Sequence, residues 1–111
     1  MSETLVAIMM GSQSDLETMK EAAQILKEFN IPFEMKVLST HRAPEDTAQY
    51  AKDLQKKGFK VVIAGAGGAA ALAGLVAAYT PLPVIGIPIE TPALGGMDSL
   101  LVFLCQYGHI L

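Results

Sequence analysis

Three short segments of this sequence carry residues whose types and spacing suit chemistry. Gly11-Ser12-Gln13-Ser14-Asp15 offers two hydroxyls and a carboxylate where a helix is expected to begin. Free backbone N–H groups and the helix dipole favour an anion such as phosphate at that place. Ser39-Thr40-His41-Arg42 sets one of only two histidines beside an arginine. A histidine titrates near neutral pH and can move a proton, and a guanidinium grips phosphate or carboxylate through two parallel hydrogen bonds. Gly65-Ala66-Gly67-Gly68 lacks side chains, so a ligand can approach its backbone closely.

Each segment also has a plainer use. Ser14 can serve as a helix cap, His41 can be a solvated loop residue, and the glycines can be there for tight strand-to-helix packing. The glycines fall as Gly65-Ala66-Gly67-Gly68 and not as the GxGxxG dinucleotide fingerprint. Other candidates carry less. Cys105 falls on a helical pattern as a core residue, and His109 reads as a solvated residue of the terminal tail. Two histidines and one cysteine far apart make no metal site of known spacing. The methionines follow core periodicity, and the lysine and glutamate pairs of the first two helices read as solvated faces.

The elements between these segments explain how they could meet. Leu5 to Met10 is an unbroken apolar run, the pattern of a strand buried on both faces. Ser14-Asp15-Leu16-Glu17 reads as a capping box opening a helix whose buried stripe is Leu16, Met19, Ala23 and Leu26, with Asn30 and Pro32 as stop signals. Phe33 to Leu38 alternates as a second strand. Pro44, Glu45 and Asp46 open a second helix, expected to run to Lys57 and close at Gly58. Lys60 to Ala64 reads as a third strand, with the glycine segment as the loop after it, and Ala69 to Tyr79 as a helix of small residues. Pro83 to Ile89 is a fourth strand, interrupted by Gly86 and Pro88. A Pro and Gly loop and a last helix from about Asp98 to Tyr107 follow.

Strand and helix alternating with short connections implies parallel strands and right-handed crossovers. The expected fold is α/β, a flavodoxin-like three-layer sandwich with strand order 2-1-3-4, as one domain over residues 1–111. Ligands of such sheets sit at the carboxyl ends of the strands, where strand order reverses. In this order that point lies between the first and third strands, and all three segments converge there. The convergence points to a phosphate-bearing small molecule.

Composition bounds the alternatives. About half of the 111 residues are apolar and 17% are charged, which suits a buried core. The long apolar tracts suggest that a partner subunit covers part of the surface. A net charge of −3 gives no basic stripe for nucleic acid. A single cysteine cannot form an internal disulfide and fits a reducing compartment. No secretory leader pattern opens the sequence, and no apolar run reaches the roughly 18 to 20 residues a membrane span needs. A soluble, cytoplasmic protein is expected.

Taken together, the segments resemble the PurE family. Met10 to Asp15 is similar to the GSxSD motif that opens its members. Leu38 to Pro44 is similar to their S-A-H-R-x-P motif, with Thr40 in place of the usual alanine. Ala64 to Ala70 is similar to their GAGGAA loop, and Pro83 to Pro88 and Ala93 to Leu101 complete the series in order. The likeness runs to about Phe103.

The resemblance implies a flavodoxin-like homo-oligomer, an octamer with sites between subunits, and no metal or organic cofactor. It also implies interconversion of 5-(carboxyamino)imidazole ribonucleotide and 4-carboxy-5-aminoimidazole ribonucleotide in purine synthesis. A second class carboxylates aminoimidazole ribonucleotide with CO2, and the GAGGAA loop looks like the first class. Carried onto this chain, Ser12, Ser14 and Asp15 hold the ribose phosphate, Asp15 through ribose hydroxyls, and Ser39 and Arg42 complete the grip. The backbone of Ala66, Gly67 and Gly68 lines the pocket around the migrating carboxylate, and His41 is the acid and base.

The sequence departs from the family pattern in three places. Ala71-Leu72-Ala73-Gly74 stands where His-Leu-Pro-Gly is usual, Leu16 stands where tryptophan is frequent, and the family's last strand and helix are expected to be absent. Two readings stay open: an active mutase using His41, and a PurE-like protein that binds ribonucleotide or assembles without catalysis.

Overall fold

Apolar runs form the strands of this protein and amphipathic stretches form its helices. The computed structural model describes residues 4–67, 71–90, 95 and 97. In chain order the elements are β1 (Val6–Met10), a 3-10 turn (Gln13–Asp15), α1 (Leu16–Glu28), β2 (Phe33–Val37), α2 (Pro44–Asp53), β3 (Val61–Gly67), α3 (Leu72–Tyr79) and β4 (Val84–Ile89). The four strands are parallel in the order β2-β1-β3-β4, as the alternation of elements predicts.

The central strand shows why its sequence is apolar throughout. All five residues of β1 are buried. Ala7 and Met9 enter a core with Ala51, Leu54, Leu72 and Val76 from α2, α3 and the turn after α2. Val6, Ile8 and Met10 enter a second core with Met19 and Ala23 of α1. Successive side chains of a strand point to opposite faces, so one run of apolar residues feeds both layers. The result is a three-layer sandwich, with α1 on one face and α2 and α3 on the other.

Both long helices close in the same way. The Ile31 N–H donates to Leu26 O and the Asn30 N–H to Lys27 O; the Phe59 N–H donates to Leu54 O and the Gly58 N–H to Gln55 O. These are Schellman closures, and Asn30 (φ 57°) and Gly58 (φ 93°) take the left-handed conformation the motif requires. Gly58 thus closes the segment as expected. The regular α-helix nevertheless ends at Asp53, because the chain tightens into turns over the last residues.

Three local expectations need correcting. Ser14 and Glu17 form no capping box. Ser12, with extended backbone, is the cap, and its Oγ accepts the Ser14 N–H at 3.1 Å. The reason is the 3-10 turn inserted before α1, which moves the first free N–H groups upstream. Second, Gly65, Ala66 and Gly67 belong to β3 and not to a loop. They pair with Ile87, Pro88 and Ile89 of β4. Third, β4 runs unbroken through Gly86 and Pro88. A proline is tolerated there because β4 has β3 on only one side among the described residues. The expected last helix, and with it Cys105 and His109, lies outside the described residues, as do Ala69 and Ala70 at the expected start of α3.

Candidate active site

The register of the sheet brings the three polar segments together. Met10, the last residue of β1, lies opposite Val37 at the end of β2 and Gly65 of β3. The chain therefore leaves β1 and β2 at the same level, while β3 continues two residues further along β4. This is the carboxyl edge of the sheet, beside the reversal of strand order.

Two adjoining hollows open at that edge. The first, about 350 Å³, is lined by Gly11, Ser12 and Asp15 from the first segment, Ser39 and His41 from the second, and Ala66 and Gly67 from the third. The second, about 440 Å³, is lined by Ser12, Ser14, Ser39 and Arg42 among others. Ser12 and Ser39 belong to both. The expected site residues thus divide between two compartments with a shared wall. Gly68 lies outside the described residues.

The first segment is ordered by its own hydroxyls. The Ser12 and Ser14 hydroxyls are hydrogen-bonded to each other, and both are exposed. Asp15 follows, its N–H donating to Ser12 O at 3.1 Å. Partial burial raises the Asp15 carboxyl above the ordinary carboxylate range, opposed by backbone N–H hydrogen bonds from Ser12 and Gly11.

The second segment is a closed turn. The Ala43 N–H donates to Ser39 O at 2.9 Å and the Arg42 N–H to Ser39 Oγ at 3.1 Å. His41 and Arg42 sit at its exposed apex, and among the described residues neither side chain is hydrogen-bonded or ion-paired. A ligand therefore need not break a protein contact to engage them. Ser39 Oγ is already an acceptor for Arg42, which leaves its O–H free to donate.

The third segment divides by residue. A Cβ on Gly65 would meet Met19 Sδ at 2.4 Å, so this glycine exists for the packing of α1 on β3. Gly67 and Ala66 instead line the first hollow. Gly65 is thus a packing glycine, whereas its two neighbours line a hollow.

Four lining residues were not among the expected site positions: Gly11, Thr40, Ala71 and Leu72. Gly11 and Thr40 could have been found from their places inside the polar segments. Ala71 is marked in the sequence only by its departure from the family's histidine, Leu72 by nothing, and both reach the hollow because α3 starts beside β3. Thr40 Oγ1 is buried without a hydrogen-bond partner.

A parallel α/β sheet with a polar hollow at the switch point, built from β-strand ends and a His-Arg turn, defines a doubly wound α/β domain. Comparison with known proteins narrows this class. A model of the AIR carboxylase family matches residues 5–106, and the chain belongs to that family. It is 58% identical over 97 residues to the N5-carboxyaminoimidazole ribonucleotide mutase of Pyrococcus horikoshii, covering 87% of this chain and 55% of that protein. It is 58% identical over 108 residues to the mutase of the same name from Bacillus subtilis, covering 97% and 67%. The crystal structure of Treponema denticola PurE superposes with a TM-score of 0.79 at 31% identity, covering 87% of this chain and 63% of that one. The chain thus spans about half to two thirds of the length of these relatives.

Proposed function

We propose that this protein interconverts 5-(carboxyamino)imidazole ribonucleotide and 4-carboxy-5-aminoimidazole ribonucleotide. The observation that carries the reading is the first hollow, where His41 shares a wall with Asp15 and with the side-chain-poor stretch Ala66-Gly67. The names of the Pyrococcus and Bacillus relatives support the same reaction.

The two hollows suggest a division of labour. The second takes the 5′-phosphate, with the Arg42 guanidinium and the Ser12, Ser14 and Ser39 hydroxyls as donors. Asp15 receives the ribose hydroxyls. The aminoimidazole ring then extends into the first hollow, with its carboxyl group beside the backbone of Ala66 and Gly67.

The reaction moves a carboxyl group from the exocyclic nitrogen to ring carbon C4, and a proton from C4 to that nitrogen. The N–C bond of the carbamate breaks, releasing CO2 and leaving an electron pair on nitrogen, which takes a proton. C4 then attacks the trapped CO2, and His41 removes the C4 proton. One base cycles between neutral and protonated forms, and the exchange needs no external oxidant or reductant. Holding CO2 next to C4 makes the second step unimolecular, an advantage on the order of several kcal/mol.

The reading extends to assembly and place. β4 has no further strand on its outer side among the described residues, and its Ile85 is 53% exposed. A homo-oligomer, the octamer of the family resemblance, would cover such apolar surface. Among the described residues no helix is long and apolar enough to cross a membrane, and we place the protein in the cytoplasm. Ala71 favours a second reading, binding without catalysis, because it leaves His41 as the one imidazole lining the hollow among the described residues. An absorbance assay interconverting the two carboxylated ribonucleotides separates them: turnover supports the mutase, and ribonucleotide binding with no turnover supports the second reading.

A further inference from the structure

The turn that carries His41 and Arg42 has no buried side-chain anchor of its own, only the exposed Ser39 Oγ that accepts from the Arg42 N–H, yet a mobile imidazole makes a poor acid and base. The anchor comes from α2. Thr47, in the second turn of that helix, is completely buried, one of only two buried polar residues among those described. Its Oγ1 donates to Ala43 O at 2.8 Å and lies 3.4 Å from Ser39 O. Ser39 and Ala43 are the two ends of the turn, already joined by the Ala43 N–H to Ser39 O bond. A helical threonine bonding to the carbonyl four residues earlier is common and by itself means little. Here the same hydroxyl also faces a carbonyl eight residues back, so it bridges both ends of a turn whose apex is His41-Arg42.

We infer that Thr47 is a positioning residue, its hydroxyl fixing the Ser39–Ala43 turn so that His41 faces the first hollow and Arg42 the second. The inference rests on the mutase reading for its effect on turnover, but not for its effect on the turn. Valine is nearly isosteric with threonine and lacks the donor, leaving the Ser39 and Ala43 carbonyls with only their backbone partners, the Ala43 and Thr47 N–H groups. Serine keeps the donor.

The test compares Thr47→Val and Thr47→Ser in the full chain, with Val62→Ala as a stability control at the opposite end of β3. Two readouts are needed: backbone amide exchange at Arg42 and Ala43, and kcat with KM. Thr47→Val is expected to speed exchange at these two amides at least tenfold and to lower kcat at least tenfold, more than it raises KM. Thr47→Ser is expected to stay within twofold of the wild type in both. Val62→Ala should lower Tm without moving either readout. Unchanged exchange in Thr47→Val overturns the proposal, as does faster exchange with kcat intact, or an equal response to Val62→Ala. Should Thr47→Val fail to fold, a tenfold loss of either property in Thr47→Ser overturns it and wild-type behaviour supports it. If the wild type itself has no turnover, the mutase reading falls, and amide exchange alone decides whether Thr47 anchors the turn.

Discussion

The turn after β1 and the turn after β2 both deliver hydroxyls to one pocket edge, but they are held by opposite means. The first is held by exposed hydroxyls bonded to each other, Ser12 to Ser14. The second is held from beneath, by the buried hydroxyl of Thr47 and by backbone bonds between Ser39 and Ala43. Exposed hydroxyls can exchange each other for a ligand at little cost, whereas the buried Thr47 hydroxyl cannot give up its carbonyls without being left unpaired itself. The difference fits two tasks. An adaptable rim suits a phosphate that must bind and leave, and a rigid mount suits a group that must meet one proton.

The sharpest way to break this comparison is at the rigid turn's apex. His41→Asn should lower kcat by roughly 10² to 10⁴, the range for loss of a general acid or base, with Tm unchanged because the imidazole is exposed. Steady-state rates and thermal melts check both halves.

Next in size is Gly65→Ala, which should cost about 1–3 kcal/mol as an overpacking substitution, since the displaced Met19 is itself fully buried. Urea unfolding measures it, and Met19→Ala should cost less in the Gly65→Ala background than in the wild type.

The adaptable rim predicts an asymmetry between its two serines. Ser12→Ala removes a cap and should cost about 1 kcal/mol. Ser14→Ala should change stability by less than about 0.5 kcal/mol, as for an exposed site, while still weakening ribonucleotide binding. Equal losses of stability would mean that the cap is shared.

The smallest effect is a pH dependence. Burial raises the Asp15 carboxyl, so the folded protein holds that proton more firmly than the unfolded chain. Its stabilising contribution is present below the ordinary carboxylate value, about 3.9, and is lost as pH rises through the raised one. Asp15→Asn should therefore be at least as stable as the wild type at pH 7, with the gap closing toward pH 4, while losing affinity for the ribose. A gap that widens in acid would reverse the assignment.

Strand order, layers and the meeting of three polar segments were legible in the sequence, because unbroken apolar runs and alternating helices leave few topologies. What was hidden depends on geometry that no periodicity encodes. The 3-10 turn moved the cap from Ser14 to Ser12, and pairing with β4 drew Gly65, Ala66 and Gly67 into the sheet. Leu72 carries no chemical mark and Ala71 only the absence of the family's histidine, and both reach the pocket through the close start of α3. Thr47 looked like one more polar helix residue until burial and two carbonyls gave it a role.

The most direct test of the central claim follows the carboxyl carbon. The wild-type protein is given 5-(carboxyamino)imidazole ribonucleotide labelled with ¹³C in the carbamate, in unlabelled bicarbonate buffer, and the product is read by NMR. The account predicts that the label reappears in the carboxylate on C4, because CO2 stays in the hollow beside His41. Product bearing unlabelled carboxylate, or no product at all, would contradict it.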